Sequence, residues 1–192
     1  MRRAFLAALL ALACAAAWAG DDEKLWAQLR RGGNVLLIRH ASTQPGPGDP
    51  PGFRLADCAT QRNLSDAGRE EARRIGERLR RERVAIAQVY TSPWCRCRDT
   101  ATLAFGHAEE WAPLASVFDF PDRDRDYTER VRKRIGTYSS RGMKGNIVMV
   151  THNVNIASLT RLSVAPGEIV VVRPDGCCGL RVSGRLLLVG GA

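Results

Sequence analysis

Two short segments of the chain are apolar at every position, Val35-Leu36-Leu37-Ile38 and Ile147-Val148-Met149-Val150. A strand with one wet face alternates apolar and polar residues, so an unbroken run of this length predicts a strand buried on both faces of a sheet. Both runs stop abruptly, the first at Arg39-His40 and the second at Thr151-His152. Elsewhere the apolar period is helical. Leu25, Trp26 and Leu29 predict a short helix closed by Gly32-Gly33, and Ala72, Ile75, Gly76 and Leu79 form one stripe through "LSDAGREEARRIGERLRRERVAI", with Ser65 as its cap. "SPWCRCRDTATLAF" predicts a helix capped by Ser92 with Pro93 at its first position, "YTERVRKRIGTYSS" another, and "NVNIASLTRL" a third, with Asn153 as a candidate cap. "AQVYTS" reads as a short strand, and "EIVVVRP" with "GLRVSGRLLLVG" as a hairpin turning at Asp175-Gly176.

Strands alternating with helices of ten to twenty residues imply an α/β fold, a three-layer sandwich whose mostly parallel sheet carries helices on both faces and an antiparallel edge. At 192 residues one domain is expected. One segment resists regular structure: residues 44–63 hold four of the nine prolines and three glycines. A long irregular loop in a small domain is either functional or a passive surface feature. This one leaves directly from Arg39-His40, so a lid or rim over that pair is the sharper expectation.

The first residues, "MRRAFLAALLALACAAAWAG", combine two arginines, an apolar run and Ala17-Trp18-Ala19 ahead of an acidic segment. This layout predicts a signal peptide over 1–19, export to the periplasm, and a single domain over 20–192; the run is too short and too rich in alanine to predict stable membrane insertion. Lipid attachment at Cys14 is the minor alternative. Losing Arg2 and Arg3 lowers the formal charge of +9 by two, and the surface stays basic. That favours acidic ligands in general. The basic residues are dispersed and not grouped with aromatics, which argues against nucleic acid.

Five cysteines lie beyond the leader: Cys58, Cys95, Cys97, Cys177 and Cys178. Cys95 and Cys97 stand two apart on a predicted helix and point to different sides, so they do not pair easily. Cys58 with either Cys95 or Cys97 is the expected bridge, and Cys177-Cys178 is read as inert packing beside a turn. Cysteine spacing and three scattered histidines, His40, His107 and His152, give no metal site. His107 reads as an exposed residue at a helix exit.

In an open parallel sheet the carboxyl ends of the strands share one crevice, which would bring His40 and His152 together across more than a hundred residues. The "TSPWCR" segment adds a helix start and Arg96. Two arginines, two histidines and a helix N-terminus suit a phosphoryl group, since guanidinium forks match its oxygens and nearby positive charge keeps a histidine neutral and nucleophilic.

Together "LLIRHAST", "YTSPWCRCRDTA" and "VMVTHNVNI" resemble the histidine phosphatase superfamily, the phosphoglycerate-mutase-like fold, over essentially the whole chain after the leader. The resemblance implies a cofactor-free and metal-free phosphoric monoester hydrolase of the histidine acid type. In it His40 becomes phosphohistidine, Arg39, Arg96 and His152 bind phosphate, and Thr43 helps to hold it. Small exported bacterial members of the family imply phosphate esters of the envelope or sugar phosphates as substrates. Ala41 stands where the family usually has glycine, Gly46 where it often has asparagine, and Asn153 where glycine is common. The family's proton-donor context is not reproduced in "HAEEWAPLASVFDFPDRDRD". Asp119 is the first candidate, with Asp122, Glu109 and Glu110 as alternatives. A phosphomutase and a silent phosphate-binding protein share the same residues. The oligomeric state has no sequence signal.

Overall fold

A computed structural model describes residues 22–118, 120–139, 144–176 and 179–188. The leader with Cys14, Asp119, and the pair Cys177-Cys178 lie outside the described residues.

The two apolar runs become the centre of the sheet. Strand β1 (Val35–Arg39) pairs in parallel with β4 (Asn146–Thr151), and β4 with β2 (Ile86–Thr91). A two-residue strand, β3 (Glu109–Glu110), extends the parallel side, while β5 (Ile169–Asp175) and β6 (Gly179–Leu186) run antiparallel on the other, giving the order β3-β2-β4-β1-β5-β6. The antiparallel edge is thus two strands wide. β3 has no counterpart in the sequence reading, because two residues are too few to show a period.

Alternate residues of the apolar runs feed opposite cores, as the pleat requires. Leu36, Ile38, Val148 and Val150 pack with Leu25 and Leu29 of α1 (residues 22–31), Ile75 and Leu79 of α2 (Asp66–Arg81), and Ala101 of α3 (Cys95–Phe105). Val35, Leu37, Ile147 and Met149 face Val131 and Ile135 of α4 (Asp124–Ser139), with Ile156 and Leu159 of α5 (Asn153–Thr160). The result is a three-layer α/β sandwich. No helix among the described residues is long and apolar enough to cross a membrane.

Ser65 caps α2 as expected, its hydroxyl accepting from the Gly68 N–H. The caps of α3 and α5 differ from expectation. Trp94 is the N-cap of α3, because the Ser92 hydroxyl is drawn toward His152, and His152 itself is the N-cap of α5. Asn153 instead turns its carboxamide to the loop before β5, where it accepts from the Val164 N–H at 2.8 Å. Past the end of α3, His107 is exposed.

α2 lies against α3 at a contact that only glycine permits. A Cβ on Gly76 would fall 2.0 Å from the Ala104 carbonyl oxygen, a backbone atom with no freedom to retreat. Gly76→Ala should therefore destabilise the protein by about 3 kcal/mol, despite the gain of up to ~1 kcal/mol that alanine brings to a helix interior. Urea melts of the two proteins check it, and a rise in stability would show that α2 can shift freely.

Candidate active site

Three neighbouring strands, β2, β4 and β1, end on the same edge of the sheet, and the residues that follow them converge. The His40 N–H donates to the Thr151 carbonyl at 2.9 Å, and the Ser92 N–H to the Val150 carbonyl at 2.9 Å. The His40 and His152 rings meet edge to face with centroids 5.4 Å apart. Arg39, His40, Arg62, Arg96 and His152 line one cavity of about 170 Å³, with Gly48 and Phe118 at its mouth. Asn153 and Val154 also line it, which directs the positive amino end of α5 at the space.

His40 is 4% exposed and its Nδ1 lies 2.8 Å from the Ala41 carbonyl oxygen. A carbonyl can only accept, so Nδ1 carries the hydrogen and Nε2 keeps its lone pair. Burial, with added repulsion from the Arg96, Arg39 and Arg62 guanidiniums, pushes the His40 pKa down to about 3. Dehydration is thus the larger cause and the positive neighbours the smaller. The His152 pKa is also held well below its ordinary value, by burial first and then by His40, Arg96 and Arg39. Its Nε2 sits 2.9 Å from the Ser92 hydroxyl, whose oxygen in turn accepts from the Trp94 N–H. In the tautomer where Ser92 donates to Nε2, Nδ1 carries the hydrogen and makes His152 a donor on its other side. The buried thiol of Cys97 lies 3.5 Å from the same Nε2, and burial raises its pKa to about 12, so it stays protonated.

Two residues of this site escaped the sequence reading, and both sit in the proline-rich loop. Asp49 reaches Arg96 with both carboxylate oxygens, at 2.8 and 3.0 Å, and its side chain is 1% exposed. It also accepts from the Trp94 indole N–H at 2.9 Å and from the Arg62 backbone N–H at 2.8 Å. Arg62 brings a third guanidinium, tied to the Gly46 carbonyl. Burial, with Arg96 next, lowers its pKa. The loop is therefore the rim of the cavity. A disulfide between Cys58 and Cys95 fastens it to the first turn of α3, one residue from Arg96, which leaves Cys97 free.

Two amides at the start of α3 are already taken, the Cys95 N–H by the Gln61 side chain at 3.0 Å and the Trp94 N–H by Ser92. The Arg96 guanidinium, held by Asp49, is the charge this helix start brings to the site.

Thr43 is not among the residues lining the cavity. Its backbone forms an antiparallel bridge with Leu64, and the flanking Ser42 and Gln44 are bonded to Glu71 and Asn63, which lead the chain away along α2. The alternative proton donors are also elsewhere: Glu109 bonds Gln88, Glu110 pairs with Arg98, and Asp122 is exposed on a 3-10 turn. Among the described residues no three His, Cys, Asp or Glu side chains gather into a metal-ligand set.

Asp49 neutralises part of a buried cationic cluster, so its loss should be felt twice. Asp49→Ala is expected to cost about 3 kcal/mol of stability, since it strands the Arg96 charge, and to lower kcat/KM about 10- to 100-fold through misplaced guanidiniums. Melts and steady-state assays on phosphate monoesters read both.

The family model for the histidine phosphatase superfamily (branch 1) matches residues 35–117. No curated protein matches the chain. Among solved structures the chain resembles the protein histidine phosphatase SixA in complex with tungstate, at 17% identity over 81% of this chain and 97% of that one, with a TM-score of 0.60. It resembles the phosphoserine phosphatase of Entamoeba histolytica at 13% identity over 79% and 95%, TM-score 0.56. It also resembles a mycobacterial glucosyl-3-phosphoglycerate phosphatase at 14% identity over 78% and 96%, TM-score 0.55. Identities this low speak for a shared fold.

Proposed function

We propose, on the match of the histidine phosphatase superfamily (branch 1) model to residues 35–117 and on the geometry above, that the chain is a member of that superfamily and hydrolyses phosphate monoesters through a phosphohistidine on His40. The observation that carries this reading is the charge of the cavity lining. Three guanidiniums, Arg39, Arg62 and Arg96, line it with both histidines held neutral, while the carboxylates that act on these arginines, Asp49 on Arg96 and Glu71 and Glu168 on Arg39, stand outside the lining, so the wall a ligand meets is cationic and suits a phosphate dianion.

In the proposed reaction Nε2 of His40 attacks phosphorus, and the phosphorus–oxygen bond to the alcohol breaks. The arginines and the Nδ1–H of His152 hold the equatorial oxygens, an electrostatic contribution of about 3 kcal/mol per well-placed donor. The leaving oxygen takes up a proton. Water then attacks phosphorus, a new phosphorus–oxygen bond forms as the phosphorus–nitrogen bond to Nε2 breaks, and orthophosphate leaves with the water's proton, restoring neutral His40. The Ala41 carbonyl stabilises the imidazolium character that develops on His40 during attack, through the Nδ1–H bond.

Asp119 is proposed as the proton donor, as the residue after Phe118, which is 66% exposed at the mouth of the cavity. Asp119→Asn should then cost about 10²-fold on alkyl phosphates, whose leaving group needs a proton, and leave p-nitrophenyl phosphate within a few-fold. Equal losses on both substrates would remove Asp119 from that role.

Phe118 offers apolar contact to the alcohol half of the substrate, and sugar or envelope phosphates remain the proposed physiological class. Export is proposed as well, supported by the leader pattern and by a disulfide suited to an oxidising compartment. The deciding assay incubates purified protein with a panel of phosphate monoesters, with and without chelator. Orthophosphate released in step with alcohol, and unaffected by chelator, is the expected result. Transfer to a second hydroxyl without release would make the protein a mutase, and binding without turnover a phosphate receptor.

A further inference from the structure

A second cavity, of about 480 Å³, shares no lining residue with the first. Its walls are Tyr90, Trp111 and Tyr138, and its cations are Arg130, Lys133 and Arg134 of α4. The Arg134 guanidinium lies over two rings at once, with its carbon 4.4 Å from the Tyr90 centroid and 4.3 Å from that of Trp111. It makes no ion pair among the described residues, and one of its terminal nitrogens is buried without an acceptor. Lys133 likewise has no carboxylate partner there. Arg130 has one, Asp126, at 3.5 Å.

This arrangement is costly for packing alone. Ring faces attract a guanidinium, but a partly buried cation without a counterion loses hydration that a neutral side chain of the same size would not. The rings do, however, hold the planar fork in one orientation. A fixed guanidinium flanked by two further cations, in a space several times larger than one phosphate needs, suits an anion with more than one oxyanion group.

We propose that this cavity is a second anion-binding site, distinct from the catalytic pocket, for a ligand carrying two linked oxyanion groups, of which a diphosphate is the simplest. Arg134 forks one group, and Lys133 with Arg130 takes the other. The inference does not depend on the catalytic reading, because none of these residues touches the pocket of His40.

The probe is inorganic diphosphate, titrated calorimetrically into the full chain carrying His40→Ala, so that none is consumed. Two binding events are expected. Adding Lys133→Gln and Arg130→Gln, both exposed positions, should weaken one event at least ten-fold, and in the otherwise native protein the same pair should leave monoester turnover unchanged. Adding Arg134→Met to the His40→Ala chain should keep its thermal midpoint without ligand, yet abolish that site's share of the diphosphate-induced rise. A single event lost entirely with Arg39→Ala would overturn the proposal. So would a second event indifferent to Lys133→Gln and Arg130→Gln.

Discussion

Replacing His40 with alanine is expected to lower kcat/KM on p-nitrophenyl phosphate by about 10⁴-fold or more, the scale on which enzymes respond to losing a covalent nucleophile. The size follows from the geometry. Nothing else in the described cavity offers an unprotonated, correctly held nitrogen: the lone pair of His152 at Nε2 is directed to Ser92, and the thiol of Cys97 is protonated and buried behind it. Binding should survive, because Arg39, Arg62 and Arg96 remain. Orthophosphate should therefore inhibit or bind with an affinity within a few-fold of the native value while turnover is lost. Rapid quenching of the native enzyme should also trap an acid-labile, base-stable phosphoryl group that His40→Ala lacks. Residual activity above about 1% of native would mean that another group attacks phosphorus, and the proposed mechanism would be wrong.

The pocket was readable in sequence where fold and chemistry coincide. β1 and β4 are buried on both faces, so they appear as apolar runs that no surface element would carry, and the first polar residues after them fall at the crevice by the geometry of a parallel sheet. His40, Arg39 and His152 are legible for that reason, and Arg96 because a Ser-Pro pair marks the start of its helix. Asp49 and Arg62 follow no period. They are placed by an irregular loop whose path depends on tertiary bonds to Arg96, Trp94 and Gly46, and on the Cys58–Cys95 bridge. The one clue to Asp49 was its place between prolines, the first of two acids in a loop leaving the candidate site. Thr43 was expected at the phosphate from the family resemblance alone; in the structure its backbone bridges Leu64 and it is not among the residues lining the cavity. Ser92 sits at the site for a reason other than capping: its hydroxyl is bonded to Nε2 of His152 and holds the ring in place.

The same burial that keeps both histidines neutral should make the fold sensitive to mild acid. In the unfolded chain each histidine protonates near its ordinary pKa of about 6.5, while in the folded protein His40 resists until about 3 and His152 until well below its usual range. A depressed folded pKa means that the unfolded state binds more protons as pH falls. The stabilising effect is therefore complete above about pH 6.5 and is lost progressively below it. Each histidine contributes about 1.4 kcal/mol per pH unit in that window, so the pair should account for about 4 kcal/mol between pH 7 and pH 5, a large part of a typical domain's stability. Urea melts at the two pH values should show this loss in the native protein and a much smaller one in a His40→Asn, His152→Asn double variant, whose carboxylates titrate equally. Saturating orthophosphate should flatten the native slope, since a bound anion favours the protonated rings it touches. Activity follows a different limb: His40 titrates near 3, so in the folded protein a fall in kcat/KM between pH 6 and 5 reports protonation of the substrate or of another group, and melts at the same pH separate it from loss of the fold. Parallel melts in native and double-variant proteins would show that the histidines titrate normally, and the account of a dry, neutral nucleophile would then fail.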